Sequence, residues 1–268
     1  ANALEIIPPQ GENTCASWSP DGTKIAFQTN RNGTWDIYIY NLETKSESAL
    51  VSGVSREQHP VWFPDGESVV FDSDSLGYEY LFRCRISDGK ITPLFKRDII
   101  CQQASFPKVP RQVYFSGYDK VSKQWQIYSY DFVYDNLNRL TQHKAKCADP
   151  RVAPDGKHLI YLKARTVFEP SSFPLINWYG EEIGRLDSLR AKDPCWNESG
   201  LKVYFVSYKD DVAGELYSIW ENGTHLERLT FDTLQISQPA ISPDGKYLLL
   251  TVGNASGAGI RLIELPEY

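Results

Sequence analysis

Six side chains able to bind a metal or trade hydrogen bonds recur at one place in a repeated phrase: Cys15, His59, Gln103, Asp149, Asp193 and Gln238. Proline follows four of them, in His59-Pro60, Asp149-Pro150, Asp193-Pro194 and Gln238-Pro239. Stacked by the repeat, they form one polar ring. Three uses are open to such a ring. Its side chains can satisfy backbone groups at strand starts and hold channel water. It can receive a peptide together with the loops around it. Or His59, Asp149 and Asp193, with Cys15, can offer mixed N/O/S ligands to a transition metal. That last use demands donor distances of about 2.0–2.3 Å, which residues on opposite sides of a ring meet badly. The structural use comes first, so no residue is given a catalytic role and no cofactor or metal is expected.

A second set of candidates lies between the second and third strands of the repeat. It comprises Arg31 and Trp35, Asp74 and Tyr78, Tyr118, Lys120 and Trp125, and Tyr208, Lys209 and Asp210. Aromatic residues with Arg are the usual anchors of an interface, and these loops are expected to border the same mouth as the ring. Arg31 and Asp36 are placed for a local pair. The longer loop "KARTVFEPSSFP", with Phe168 and Phe173, is read as a flap or contact surface, or as a packing segment. Cys101 and Cys147 stand two residues before the ring, where a bridge between neighbouring loops needs Cα atoms within about 7 Å; a reduced, structural role is the alternative. Cys195 stands two residues after Asp193, and Cys84 reads as a small packing residue.

The elements that position these residues follow from the phrase itself. "SWSPDGTKIAF" returns as "VWFPDGESVVF", "RVAPDGKHLIY" and "AISPDGKYLLL". The turn glycines fall at Gly22, Gly66, Gly156 and Gly245, with Gly200 on the missing beat of "CWNESGLKVYF". "ASFPKVPRQVYF" keeps the apolar positions of one further unit and loses Asp-Gly. The six units share a short apolar piece, a turn that is Pro-Asp-Gly in four of them, an alternating strand such as "TKIAFQT", a third strand such as "DIYIYNL" and, in the first five, a fourth such as "LERLT". Pro presets φ, Gly supplies φ > 0, and Asp21, Asp65, Asp155 and Asp244 are turn residues. Ile37-Tyr38, Leu81-Phe82, Ile127-Tyr128 and Leu216-Tyr217 are read as packing between units. Period-2 patterning excludes a helical solenoid.

Four antiparallel strands per unit, repeated radially, describe an all-β, six-bladed β-propeller. The last unit stops after its third strand at "RLIELPEY", while "ALEIIP" precedes the first unit as an orphan. The N-terminal strand 3–8 is therefore expected to complete the last blade and remove an open edge. The blades run approximately 11–52, 53–96, 97–142, 143–187, 188–231 and 232–268 in a single domain of 268 residues.

Bulk properties narrow the partners. A net charge of −6 argues against nucleic acid. No apolar run approaches the roughly 20 residues of a membrane span. "ANALEIIPPQ" has neither a charged n-region nor an h-region, so no signal peptide is expected. Five cysteines leave at least one thiol free unless another chain supplies a partner. Sequons stand at Asn32, Asn197, Asn222 and Asn254.

"WSPDGTKIAFQTNRNGTWDIYIYNLET" is similar to the repeat of TolB-type propellers, which run W-S-P-D-G-x-x-I-A-F, then Arg-x-Gly, then Ile-Tyr. The resemblance spans nearly the whole chain and is weakest in the third unit. It implies a six-bladed propeller and an envelope or secreted scaffold that binds proteins or peptides. TolB itself adds an N-terminal α/β domain, and propellers of prolyl-oligopeptidase-type hydrolases adjoin a G-x-S-x-G hydrolase; neither is found here. The expected function is thus a non-enzymatic, monomeric binding scaffold, periplasmic or secreted, with a protein or peptide at its channel mouth. The alternative is a metal-dependent lyase or hydrolase acting on a sugar or lactone in the channel.

Overall fold

The computed structural model describes residues 3–164, 172–177, 179–185, 190–231, 234–254 and 256–265, and among them there are strands and turns but no helix. Among the described residues no helix is therefore long and apolar enough to cross a membrane. Strand β1 (Ala3–Ile7) precedes the first unit, β2 to β5 (Gly11–Trp18, Lys24–Thr29, Asp36–Asn41, Ser46–Val51). The second is β6 to β9 (Glu57–Trp62, Ser68–Ser73, Tyr80–Arg85, Ile91–Pro93) and the third β10 to β13 (Cys101–Ser105, Gln112–Asp119, Gln124–Asp131, Asn136–Arg139). The fourth is β14 to β17 (Lys146–Val152, His158–Ala164, Pro174–Asn177, Glu182–Arg185) and the fifth β18 to β21 (Ala191–Trp196, Lys202–Ser207, Glu215–Trp220, Glu227–Arg228). The chain ends with β22 to β24 (Gln235–Ile241, Tyr247–Asn254, Gly257–Glu264).

Units two to five each form a four-stranded antiparallel sheet in chain order. The remaining strands form one eight-stranded sheet. Within it β1 pairs with β24, placing Ala3 opposite Ile263 and Leu4 opposite Leu262. A short parallel contact, Gly11 with Gly257 and Glu12 with Ala258, joins β2 to β24.

The turns form as their residues require. Gly22, Gly66, Gly156, Gly200 and Gly245 all have φ between +71° and +75°, a region glycine enters without a Cβ clash. Asp21 accepts hydrogen bonds from the Ser19 hydroxyl at 2.6 Å and the Thr23 amide at 3.0 Å. Those two bonds hold its carboxyl down at about 2. In the fifth unit Asn197 Oδ1 takes over, accepting from the Leu201 and Lys202 amides.

The second strand of each unit is buried on both faces, because each sheet packs on the next. In β7 every residue is buried. Among the described residues the core accordingly divides into six wedges between successive units. Ala26 and Ile37 meet Val69 and Phe71, and Val70 and Leu81 meet Val113 and Phe115. Tyr114 and Ile127 meet Leu159 and Tyr161, and Ile160 and Leu175 meet Val203 and Phe205. Tyr204 and Leu216 meet Leu248 and Leu250. The sixth wedge joins the two ends of the chain, with Ile7, Leu249 and Ile260 against Ile25 and Phe27. Burial of each such Phe or Ile stabilises the fold by about 1.5–3 kcal/mol. Cys84, fully buried among these residues, packs as expected of it. Phe168 lies outside the described residues. Phe173, read as part of a flap or contact surface or else of a packing segment, is 2% exposed and packs in the core, as the packing alternative expects.

Candidate functional site

In all six first strands the ladder to the second strand breaks at the ring residue. Thr14 pairs with Gln28 and Ser17 with Ala26, so Cys15 and Ala16 together oppose Phe27. The same two-against-one bulge occurs at His59, Gln103, Asp149, Asp193 and Gln238. Each of these six residues has a positive φ, from 49° to 60°. That conformation costs a non-glycine residue about 1 kcal/mol, so something must hold it.

At five of the six, side chains from neighbouring units hold it by capping the amides that the bulges turn out of the ladder. Gln28 Oε1 accepts from the His59 amide at 2.7 Å, and Asp72 Oδ1 from the Gln103 amide at 3.2 Å. Gln103 Oε1 and Ser116 Oγ both accept from the Asp149 amide at 3.0 Å. Asp193 Oδ2 accepts from the Gln238 amide at 3.0 Å, and Gln238 Oε1 from the Cys15 amide at 2.9 Å. The Thr251 hydroxyl donates to Gln238 Oε1 at 3.0 Å.

The six ring residues line one cavity of about 300 Å³, together with Arg151 and Cys195. A wider funnel of about 530 Å³ shares Arg151 and Cys195 and is walled by Pro20, Pro64, Phe106, Pro107, Pro154 and Pro243. These residues belong to the turns between first and second strands. The cavity therefore opens at the Pro-Asp-Gly end of the sheets.

The electrostatics are uneven. Asp149 pairs with Arg151 at 2.8 Å, while the buried Arg151 Nε has no partner among the described residues. His59 Nδ1 lies 3.0 Å from the Asp72 carboxylate. Burial pulls the His59 imidazole down, but Asp72 outweighs it and the ring titrates above its ordinary value. Burial, reinforced by neighbouring Asp149, pushes the Asp193 carboxyl up. Burial also pushes the Cys15 and Cys195 thiols up to about 12, so both stay protonated at neutral pH and are poor nucleophiles.

The expected metal ligands are not assembled as such. His59, Asp149 and Asp193 share the cavity, yet no three His, Cys, Asp or Glu among the described residues are grouped to hold a metal ion. They sit on three sheets, His59 turned to Asp72 and Asp149 to Arg151. All five cysteines are free, Cys101 and Cys147 included.

None of the loop candidates Arg31, Trp35, Tyr78, Tyr118, Trp125 and Tyr208 lines the cavity or the funnel. Their connections leave the opposite end of the sheets. Arg31 pairs with Glu47 at 2.7 Å, not with Asp36. The Trp35 carbonyl accepts from the Glu57 amide, and Tyr118 packs edge-on against Trp125 across their strands at 5.8 Å. Lys192 sits over the Tyr208 ring, and Tyr78 is exposed.

Sequence reasoning missed Arg151, Gln28, Asp72, Ser116 and Thr251. The last four share a signal: each is a polar residue just after a large apolar one in a second strand that is otherwise apolar, as in "AFQT" and "VFDS".

A family model described as TolB beta propeller domain matches residues 5–166. Two curated relatives are similar over parts of the chain. An uncharacterized peptidase, YuxL, of Bacillus subtilis is 31% identical over 42% of this chain and 18% of its own length. The Tol-Pal system protein TolB of Helicobacter pylori is 24% identical over 59% of this chain and 38% of its own. The chain thus matches well under two thirds of these relatives' length. Among solved structures, the putative TolB from Agrobacterium tumefaciens has a TM-score of 0.75 at 17% identity, covering 99% of this chain and 97% of that one. An oligogalacturonate lyase in complex with manganese has a TM-score of 0.70 at 13% identity, covering 98% and 93%. At such identities the likeness is one of fold.

Proposed function

The chain belongs to the TolB beta propeller domain family, and on that footing we propose that it is a six-bladed propeller in one domain, serving as a non-enzymatic scaffold that binds a protein or peptide at the mouth of its channel. The blade count is supported by dividing the eight-stranded sheet at its two-residue parallel contact, which leaves β2 to β5 as one blade and β22 to β24 with β1 as another. The observation that carries the function is the capped ring: bulged ring residues, held by neighbouring sheets, form the floor of a cavity behind a proline-rich funnel. Such a surface loses little freedom on binding, which favours affinity. The name Tol-Pal system protein on a similar chain supports a protein partner. By the same likeness we infer a periplasmic or secreted location; the net charge of −6 and the lack of a long apolar run support a protein that binds no nucleic acid and inserts in no membrane, and a closed ring supports a monomer.

A second reading, a metal-dependent lyase or hydrolase of a sugar or lactone, draws on the fold shared with the manganese-bound oligogalacturonate lyase. Two measurements separate them. A partner retained by wild type and by Trp125→Ala, but lost by a folded Phe106→Ala, supports the scaffold. Stoichiometric metal in the purified protein that disappears in His59→Ala, with turnover of oligogalacturonate, overturns it.

A further inference from the structure

The charges on the cavity floor do not balance. Asp149 is answered by Arg151 at 2.8 Å. Asp72 is answered by the His59 imidazole at 3.0 Å. Cys15 and Cys195 are neutral thiols. Asp193 remains. It accepts the Gln238 amide through Oδ2 and lines the cavity; Arg151 and Lys192 act on it from beyond contact distance, and no ion pair within 4 Å joins it among the described residues. A half-buried carboxylate beside another carboxylate is a costly arrangement unless a positive charge joins it.

The approach to this carboxylate is apolar. Pro20, Pro64, Phe106, Pro107, Pro154 and Pro243 wall the funnel, and proline and aromatic walls suit an extended chain with a long aliphatic stem. At the rim Glu198 is engaged by Lys108, and the protein as a whole carries a net charge of −6. Long-range and local fields thus have the same sign.

Resting on the scaffold reading above, we propose that the cavity takes the guanidinium or ammonium group of an extended peptide entering from the Pro-Asp-Gly end, with Asp193 as its carboxylate partner. The aliphatic stem of an Arg or Lys lies along the proline wall, and its charged head reaches Asp193 beside the Asp149–Arg151 pair. Gln238 fixes Asp193 through its amide, so the acceptor is held before the ligand arrives.

The test uses three capped peptides, acetyl-Pro-Pro-Xaa-Pro-Pro-amide, with Xaa as Arg, norleucine or Glu, titrated calorimetrically into the whole protein. The Arg peptide is expected to bind at least tenfold tighter than the norleucine peptide, and the Glu peptide weakest, a tenfold step being about 1.4 kcal/mol. Asp193→Asn keeps an oxygen for the Gln238 amide and is expected to bring the Arg and norleucine peptides level. The comparison of peptides on wild type needs no variant to fold. Equal binding of the Arg and norleucine peptides, or tightest binding of the Glu peptide through Arg151, overturns cation recognition while leaving the scaffold reading in place. Failure of all three to bind also overturns this inference; the scaffold reading itself stands or falls on partner retention by the Phe106 variant.

Discussion

Arg31 and Arg151 stand at opposite ends of the sheets and show how differently those ends use the same side chain. Every side-chain nitrogen of Arg31 is taken within its own unit, by Thr29, Glu47 and Asn13, and its plane lies 4.8 Å from the Tyr38 ring centre. Arg151 faces a space shared by all six units and leaves its Nε without a partner. The loop end, rich in Arg, Trp and Tyr, spends its polar chemistry on itself. The turn end frames the cavity with residues whose types announce only a turn. Composition alone therefore picks the end away from the cavity, because a side chain is available to a ligand only if its own neighbours leave it so.

Substitutions at the two ends sharpen this contrast. At the loop end, a Cβ on Gly257 would lie 2.2 Å from the Gly11 carbonyl oxygen, at φ +132°. Gly257→Ala is expected to cost about 3 kcal/mol or more, because backbone must move where β2 meets the last strand, β24. At the turn end, Gly245→Ala meets nothing within 4 Å and carries only the φ penalty, about 1 kcal/mol. Paired urea melts of the two variants read the difference directly, and equal costs would place the closing contact elsewhere.

Asp72→Asn is expected to cost about 1–3 kcal/mol, because it weakens the hold on both the His59 ring and the Gln103 amide. Its sharper signature is a histidine titration by NMR. With the carboxylate gone, burial is the largest influence left, with Asp149 and Arg151 acting in opposite senses, so His59 moves from above its ordinary value of about 6.5 to below it.

Asp131, the last residue of β12, tests the turn end by pH. Burial pushes its carboxyl up, yet the Tyr134 and Val133 amides, Gln112 and Arg111 pull it further down, to about 2. A depressed folded pKa stabilises above the unfolded value, near 3.8, and that contribution vanishes as pH falls through about 2. Asp131→Asn should therefore lower stability by about 1–2 kcal/mol at pH 6 and by nothing measurable near pH 2, in melts across that range.

The smallest effect is expected at the loop end. Arg31→Ala removes one ion pair, the hydrogen bonds to Thr29 and Asn13 and the contacts with the Phe27 and Tyr38 rings, costs about 1 kcal/mol, and leaves binding of the Arg-bearing peptide unchanged. A loss of peptide binding in this variant would erase the distinction between the ends.

The repeat was legible because each unit must meet the same local demands. The glycine clock marks where φ must be positive, and alternation marks strands. The termini signal their pairing because a three-stranded remainder leaves an edge that the orphan "ALEII" can fill, and β1 does pair with β24. The stacking of Cys15 with His59, Gln103, Asp149, Asp193 and Gln238 also needed only register, which a repeat supplies.

What no reading of the chain supplied was direction and partnership. The bulges rotate the ring amides toward neighbouring sheets, so the groups that hold them, Gln28, Asp72 and Ser116, lie 31 to 33 residues before the amides they cap. Which end of the channel opens depends on how six turns converge, and whether a carboxylate keeps a free oxygen depends on which cation reaches it first. Local sequence governs torsions and faces because those act between neighbours in the chain; the cavity and its unbalanced charge arise between residues that meet only when the sheets are packed.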